Sequence, residues 1–183
     1  MTELTLYSGR PQGDDALGRL KKELDTYDLL DQLNIPYFRV DHPAVDTIAE
    51  CSQIDELLGV SICKNLFLTN AQKSKFYLLA MPGDKKFRTA VLSKQIGSSR
   101  LSFAGPESLL ELLDLTPGSV SVLGLRNDPS CRVQLLLDRD VIQGQKYFGC
   151  HPCINTSSLR LATEDLLNIF LPHTGHSPII VDL

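Results

Sequence analysis

Cys150-His151-Pro152-Cys153 sets two thiols two residues apart, the spacing used for disulfide exchange or for half of a structural zinc site. Neither chemistry is completed by the surrounding sequence. Redox exchange needs the pair to open a helix, whereas the following Ile154-Asn155-Thr156-Ser157-Ser158 reads as loop and strand. A zinc site needs a second close pair, and Cys51, Cys63 and Cys131 stand apart from one another. Small buried thiols are the plainer expectation. His42, His151, His173 and His176 are candidate bases, and Cys63 beside Lys64 has the composition of a cation-stabilised thiolate. A cysteine next to a lysine at the start of a strand is more commonly a packing residue. No phosphate-loop glycine pattern, zinc-protease helix motif or nucleophile-elbow pentapeptide occurs, so neither metal nor cofactor is expected.

Charge supplies the next clue. The formal charge of −4 argues against a general nucleic-acid coat, but its distribution is uneven. Residues 1–63 carry 5 basic against 12 acidic side chains, residues 64–100 carry 8 against 1, and residues 101–183 carry 5 against 9. The basic middle holds Lys64, Lys73, Lys75, Lys85, Lys86, Arg88, Lys94 and Arg100, opposed only by Asp84. Such a field suits phosphates, though a solvated surface face gives the same composition.

The elements that must position these groups are mixed. Leu17, Leu20, Leu24, Tyr27, Leu30 and Leu33 recur at helical spacing and predict an amphipathic helix over 14–34. A short strand over 37–40 precedes His42-Pro43, and a helix from about 47 to 58 is expected, with Thr47 capping toward Glu50. Residues 65–69 and 75–80 read as a hairpin, 88–96 and 106–114 as helices, and 100–104 as a strand. Further strands are expected over 119–125, 132–137, 146–148, 158–161 and 178–181, with a helix over 163–170 capped by Thr163. This order indicates an α+β fold with a mixed, largely antiparallel β-sheet surrounded by helices.

With 183 residues, 43% of them hydrophobic, the chain is long enough to bury one core, and a single domain over 1–183 is expected. Residues 1–12 are expected to form a flexible or loosely packed N-terminus. Nothing approaches the roughly 18 consecutive apolar residues of a spanning helix, and residues 1–10 lack a charged start leading into an apolar run. With five cysteines, an odd number, the chain does not resemble a secreted disulfide framework, and a cytoplasmic location with no membrane partner is expected.

Three stretches belong together: Ser61-Ile62-Cys63-Lys64-Asn65-Leu66-Phe67-Leu68, Arg100-Leu101-Ser102-Phe103-Ala104, and Thr116-Pro117-Gly118-Ser119-Val120-Ser121-Val122-Leu123-Gly124-Leu125. With His42-Pro43 upstream and Phe148-Gly149-Cys150-His151-Pro152 downstream, the arrangement resembles the prolyl-tRNA editing domains. That family includes freestanding proteins related to the insertion domain of bacterial prolyl-tRNA synthetase. The similarity runs in order from about Leu17 to Leu183.

The resemblance implies hydrolysis of the ester joining a wrong amino acid to tRNA(Pro), and the branch most similar to this chain removes alanine. A cysteine-specific deacylase and a non-catalytic RNA-binding regulator are the alternatives. By the family pattern Lys64 holds the phosphate or terminal adenosine of the RNA end, with Asn65 at the same site. Gly118 opens the substrate loop, which runs through Ser119 and Ser121 and aligns the aminoacyl group and the attacking water. His151 matches a histidine of the aminoacyl pocket, and His42 is expected as a further substrate contact; on their charge Lys85, Lys86 and Arg88 are expected acceptor-stem contacts, with a solvated face the alternative for each. The implied partners are mischarged tRNA(Pro) and prolyl-tRNA synthetase. The family motif is a glycine, three residues and a proline; here the last position is Val122.

Overall fold

The computed structural model describes residues 4–44 and 48–183, and the expected Thr47 cap lies outside the described residues. Strands form at β1 (Leu6–Ser8), β2 (Tyr37–Asp41), β3 (Lys64–Thr69), β4 (Phe76–Met81), β5 (Ser102–Phe103), β6 (Val133–Asp138), β7 (Tyr147–Cys150), β8 (Ser157–Ala162) and β9 (Ile179–Val181). They divide into two sheets, in the orders β1-β2-β8-β7 and β5-β3-β4-β6-β9. All pairs of the first are antiparallel. The second is mixed: β4-β6 and β6-β9 run parallel, and β3 and β4 form the expected hairpin, with Lys64 opposite Met81 and Thr69 opposite Phe76. The α+β architecture is therefore as the sequence indicates. Residues 6–8, in the segment expected to be loosely packed, form an edge strand with exposed side chains.

Burial on both faces explains why β4 is apolar throughout. Leu78 and Ala80 join the main core with Tyr27, Leu30, Phe148 and Phe170, whereas Tyr77, Leu79 and Met81 pack on the opposite side with Leu92 and Leu136. Alternate residues point to opposite faces, so a strand covered on both sides needs no polar positions.

Helices fill the remaining connections: α1 (Lys21–Gln32), α2 (Ile48–Leu58), α3 (Thr89–Gln95) and α4 (Pro106–Leu113). The first is shorter than its leucine spacing predicts. Gly18 adopts φ +76, which a right-handed helix cannot accommodate, so the 3-10 turn Gly13–Ala16 is separated from α1. Leu17 and Leu20 consequently stay 74% and 56% exposed.

Two further expectations change. Residues 119–125 are not a strand; Val122–Asn127 form a 3-10 helix capped by Ser121, whose Oγ accepts from the Leu123 N–H at 3.2 Å. A short apolar run buried on all sides carries no usable period, and here the cap decides. Thr163 begins α5 (Thr163–Asp165) instead of capping it, and the helix continues through a π turn, Leu166–Phe170, into α6 (Leu171–Thr174). No helix among the described residues is long and apolar enough to cross a membrane.

Candidate active site

The two sheets meet where β7 reaches the segment before β3. Ile62 bridges Gly149, and the Cys63 N–H donates to the Gly149 carbonyl at 3.2 Å. A side chain at 149 would put its Cβ 2.8 Å from the Ser61 carbonyl oxygen, so only glycine permits this approach. Beside the seam opens a cleft of about 1370 Å³, lined by Lys64 and Gly118 together with His42, His151, Asn155 and Ser158.

Lys64 starts β3, and its ammonium donates to the Lys85 carbonyl at 2.8 Å, leaving two of its three N–H donors for a ligand. Gly118 sits in a turn closed by the Ser119 N–H donating to the Thr116 carbonyl at 3.0 Å. Pro117 in the second place and Gly118 at φ +88 in the third give the signature of a type II turn. Across the cleft wall, a Cβ at 118 would lie 3.8 Å from Asn155 Nδ2.

Of the four candidate histidines, His42 and His151 occupy the same cleft, whereas His173 and His176 do not line it and His176 Nε2 lies 3.3 Å from Asp128. His42 Nε2 lies 2.9 Å from Ser158 Oγ, and His151 Nδ1 lies 3.0 Å from the Ser157 carbonyl. Burial lowers both histidines below the usual imidazole range, which keeps the rings neutral near pH 7. Asp55 also lines the cleft; burial raises its carboxyl above the usual range, against hydrogen bonds from the Ile62 N–H and the Ser61 side chain.

Other sequence-selected residues are placed differently. Asn65 does not line the cleft, and its Nδ2 donates to the Cys63 carbonyl at 3.0 Å. The Ser119 hydroxyl donates to the Thr116 carbonyl at 2.9 Å, and the fully buried Ser121 hydroxyl donates to the His151 carbonyl at 2.6 Å. Both serines thus brace the loop, and Ser121 ties it to the strand end that carries His151. Lys85 is held by Asp138 at 2.9 Å and Asp140 at 2.8 Å, so its ammonium is not a free phosphate ligand. Lys86 and Arg88 are exposed and make no ion pair among the described residues.

The thiol chemistries find no support. Cys150 and Cys153 are fully buried, and burial raises both thiols above their usual range. Cys63 is pushed up to about 12 by burial, with Asp55 adding to the shift, which leaves no appreciable thiolate near pH 7. Among the described residues no three His, Cys, Asp or Glu side chains gather around a common point that could hold a metal ion.

Sequence reasoning missed Asn155, Ser158 and Asp55. Only Asn155 had a local signal, its place just after the Cys150-Cys153 stretch.

Comparison with known proteins bears on what this cleft does. The aminoacyl-tRNA editing domain family matches residues 42–169. The prolyl-tRNA editing protein ProX of Acetoanaerobium sticklandii is 37% identical over 140 residues, covering 76% of this chain and 85% of that protein. The prolyl-tRNA synthetase associated domain-containing protein 1 of Danio rerio is 34% identical over 164 residues, covering 88% of this chain and 86% of that one. A crystal structure described as a candidate trans-editing enzyme for prolyl tRNA synthetase shares the fold, with a TM-score of 0.65 at 19% identity over 91% of this chain and 98% of that one. A match over residues 42–169, a range that contains the residues lining the cleft, shows that the protein belongs to the aminoacyl-tRNA editing domain family, whose chemistry is hydrolysis of the aminoacyl ester.

Proposed function

We propose that the chain acts in trans to remove alanine from mischarged tRNA(Pro), the misacylated product of a prolyl-tRNA synthetase. The observation that carries this reading is the shared cleft: Lys64 and Gly118, 54 positions apart in the sequence, line one cavity. A synthetase pocket shaped for proline discriminates against a smaller side chain by only about 1–3 kcal/mol, which makes a second hydrolytic site necessary.

In the proposed reaction, water adds to the ester carbonyl, the tRNA ribose oxygen leaves with a proton, and free alanine and a tRNA with an intact 3′ end result. The unassigned N–H donors of Lys64 hold the phosphate or terminal adenosine. Main-chain groups of the loop beginning at Gly118 orient the aminoacyl carbonyl; an amide aimed at a developing oxyanion is worth about 2.7–4 kcal/mol. A ribose hydroxyl of the terminal adenosine orients the water, so no protein nucleophile is required. The cleft fits that economy, because its thiol, Cys63, is protonated near pH 7.

The deciding experiment incubates the pure protein with alanyl-, cysteinyl-, seryl- and prolyl-tRNA(Pro) and follows release of the labelled amino acid. Alanine release that outpaces the other three is expected. Preferred release of cysteine would reassign the substrate, and binding without release of any would leave an RNA-binding role only.

A further inference from the structure

His42, Ser158 and His151 form a chain of hydrogen bonds along one wall of the cleft, and the partners at its ends fix its direction. The Pro43 carbonyl can only accept, so His42 Nδ1, 2.8 Å away, carries the ring proton. In the neutral ring His42 Nε2 is then an acceptor, and the Ser158 hydroxyl donates to it at 2.9 Å. The Ser157 carbonyl accepts from His151 Nδ1 at 3.0 Å, and the same N–H lies 3.4 Å from Ser158 Oγ. His151 Nε2 is left unprotonated and without a hydrogen bond among the described residues. His151 itself lines the cleft.

Among the described residues no carboxylate holds either ring. Asp41 favours the charged form of its neighbour His42 but is outweighed by burial, and His42 in turn disfavours charge on His151. The task of orienting an imidazole, often given to an Asp or Glu, falls here to one hydroxyl and two carbonyls. Ser158 is 1% exposed, so it cannot contact substrate extensively and acts through its neighbours.

We infer that Ser158 is a positioning residue whose hydroxyl couples His42 to His151 and holds the bare Nε2 of His151 toward the aminoacyl group. The group it receives is an N–H donor, and the α-ammonium of an aminoacyl ester is one. This assignment rests on the ester-hydrolysis reading of the cleft.

The test combines S158A with S158T in the full-length protein labelled with 15N-histidine. Ring nitrogen resonances and alanyl-tRNA(Pro) turnover are measured together. In S158A the His42 Nε2 resonance moves toward the value of an unbonded acceptor, and kcat falls roughly 10- to 100-fold while KM holds. S158T, which keeps the hydroxyl, restores both. Should S158A not fold, S158C preserves the volume with a weaker donor and gives the same reading. Unchanged ring resonances in the folded variant, or wild-type kcat, overturn the inference. A wild-type protein that hydrolyses no aminoacyl-tRNA overturns the functional reading instead, and the resonances still decide whether the hydroxyl couples the rings.

Discussion

The ammonium of Lys64 is tethered to the backbone carbonyl of Lys85, 2.8 Å away, while the ammonium of Lys85 is held by Asp138 at the end of β6 and by Asp140 just beyond it. Lys85 therefore orients Lys64 by fixing a loop. Removing it leaves the fully buried Asp138 with the Asp140 N–H, at 3.0 Å, as its remaining donor among the described residues, a loss of about 1–3 kcal/mol. Lys85→Ala is accordingly expected to lower Tm by several degrees while leaving the salt dependence of tRNA binding unchanged. The exposed Lys86 and Arg88 should show the reverse: alanine there keeps Tm and flattens the plot of log Kd against log salt. A flattened plot for Lys85→Ala at wild-type Tm would return Lys85 to the RNA-contacting set.

Lys64→Ala removes a lysine that lines the cleft and whose ammonium, among the described residues, is held by a backbone carbonyl alone. Misplacing a bound ester by about 1 Å can cost roughly 100-fold in rate. Deacylation is expected to fall by at least that factor with the fold intact by circular dichroism. Wild-type turnover by this variant in a single-turnover assay would remove Lys64 from the site.

Much of the site was legible because its parts sit in ordered local motifs. Lys64 opens a hairpin strand, Gly118 follows a proline in a turn, and His151 adjoins a strand end. Ser158 and Asp55 were not legible. A serine in a strand and an aspartate in an amphipathic helix carry no chemical signal until tertiary packing brings them to a cleft. Lys85 misled for the opposite reason: charge along the chain does not reveal that two carboxylates more than 50 positions away neutralise it. The leucine stripe of α1 failed at Gly18, where one left-handed residue outweighed two leucines.

Val122 stands where the motif that this loop resembles has proline, and the local backbone is one that proline can also adopt. Val122 is the first residue of its 3-10 helix, and its N–H makes no hydrogen bond among the described residues. Proline suits that position, and Ser121 before it, at φ −149 and ψ 146, has the extended backbone that a following proline demands. Val122→Pro is therefore expected to change stability by less than about 1 kcal/mol and turnover by less than about twofold. Collapse of the fold in a urea titration of this variant would mean that the loop departs from the family's geometry.

Cys63 lines the cleft as a neutral thiol, so Cys63→Ala should leave the rate of deacylation close to wild type. The substitution removes little volume from a site 9% exposed, and a stability loss of about 1 kcal/mol is expected. Turnover abolished with tRNA binding intact would instead make the thiol a nucleophile, and a trapped thioester would then be detectable by mass spectrometry.

Acid sensitivity should follow His42 and His151. Burial depresses both below the ordinary value of 6.5, so between that value and their folded ones the unfolded chain binds more protons. Stability from these rings is complete above 6.5 and is lost as pH falls through the window beneath it. Asp55 contributes with the opposite sign and at lower pH: its folded carboxyl is raised from 3.8, so its burial penalty is relieved as acid protonates it. Thermal melts between about pH 7.5 and pH 5 should therefore show Tm declining with acidity, and more steeply in the wild type than in the His42→Gln/His151→Gln double variant. Turnover should keep its neutral-pH value down to an acid limb whose midpoint lies below 6.5, because the bare Nε2 of His151 persists until its ring is protonated. An acid limb at or above 6.5, or parallel Tm curves for the two proteins, would show that these imidazoles are solvated rather than held neutral by the wall of the cleft.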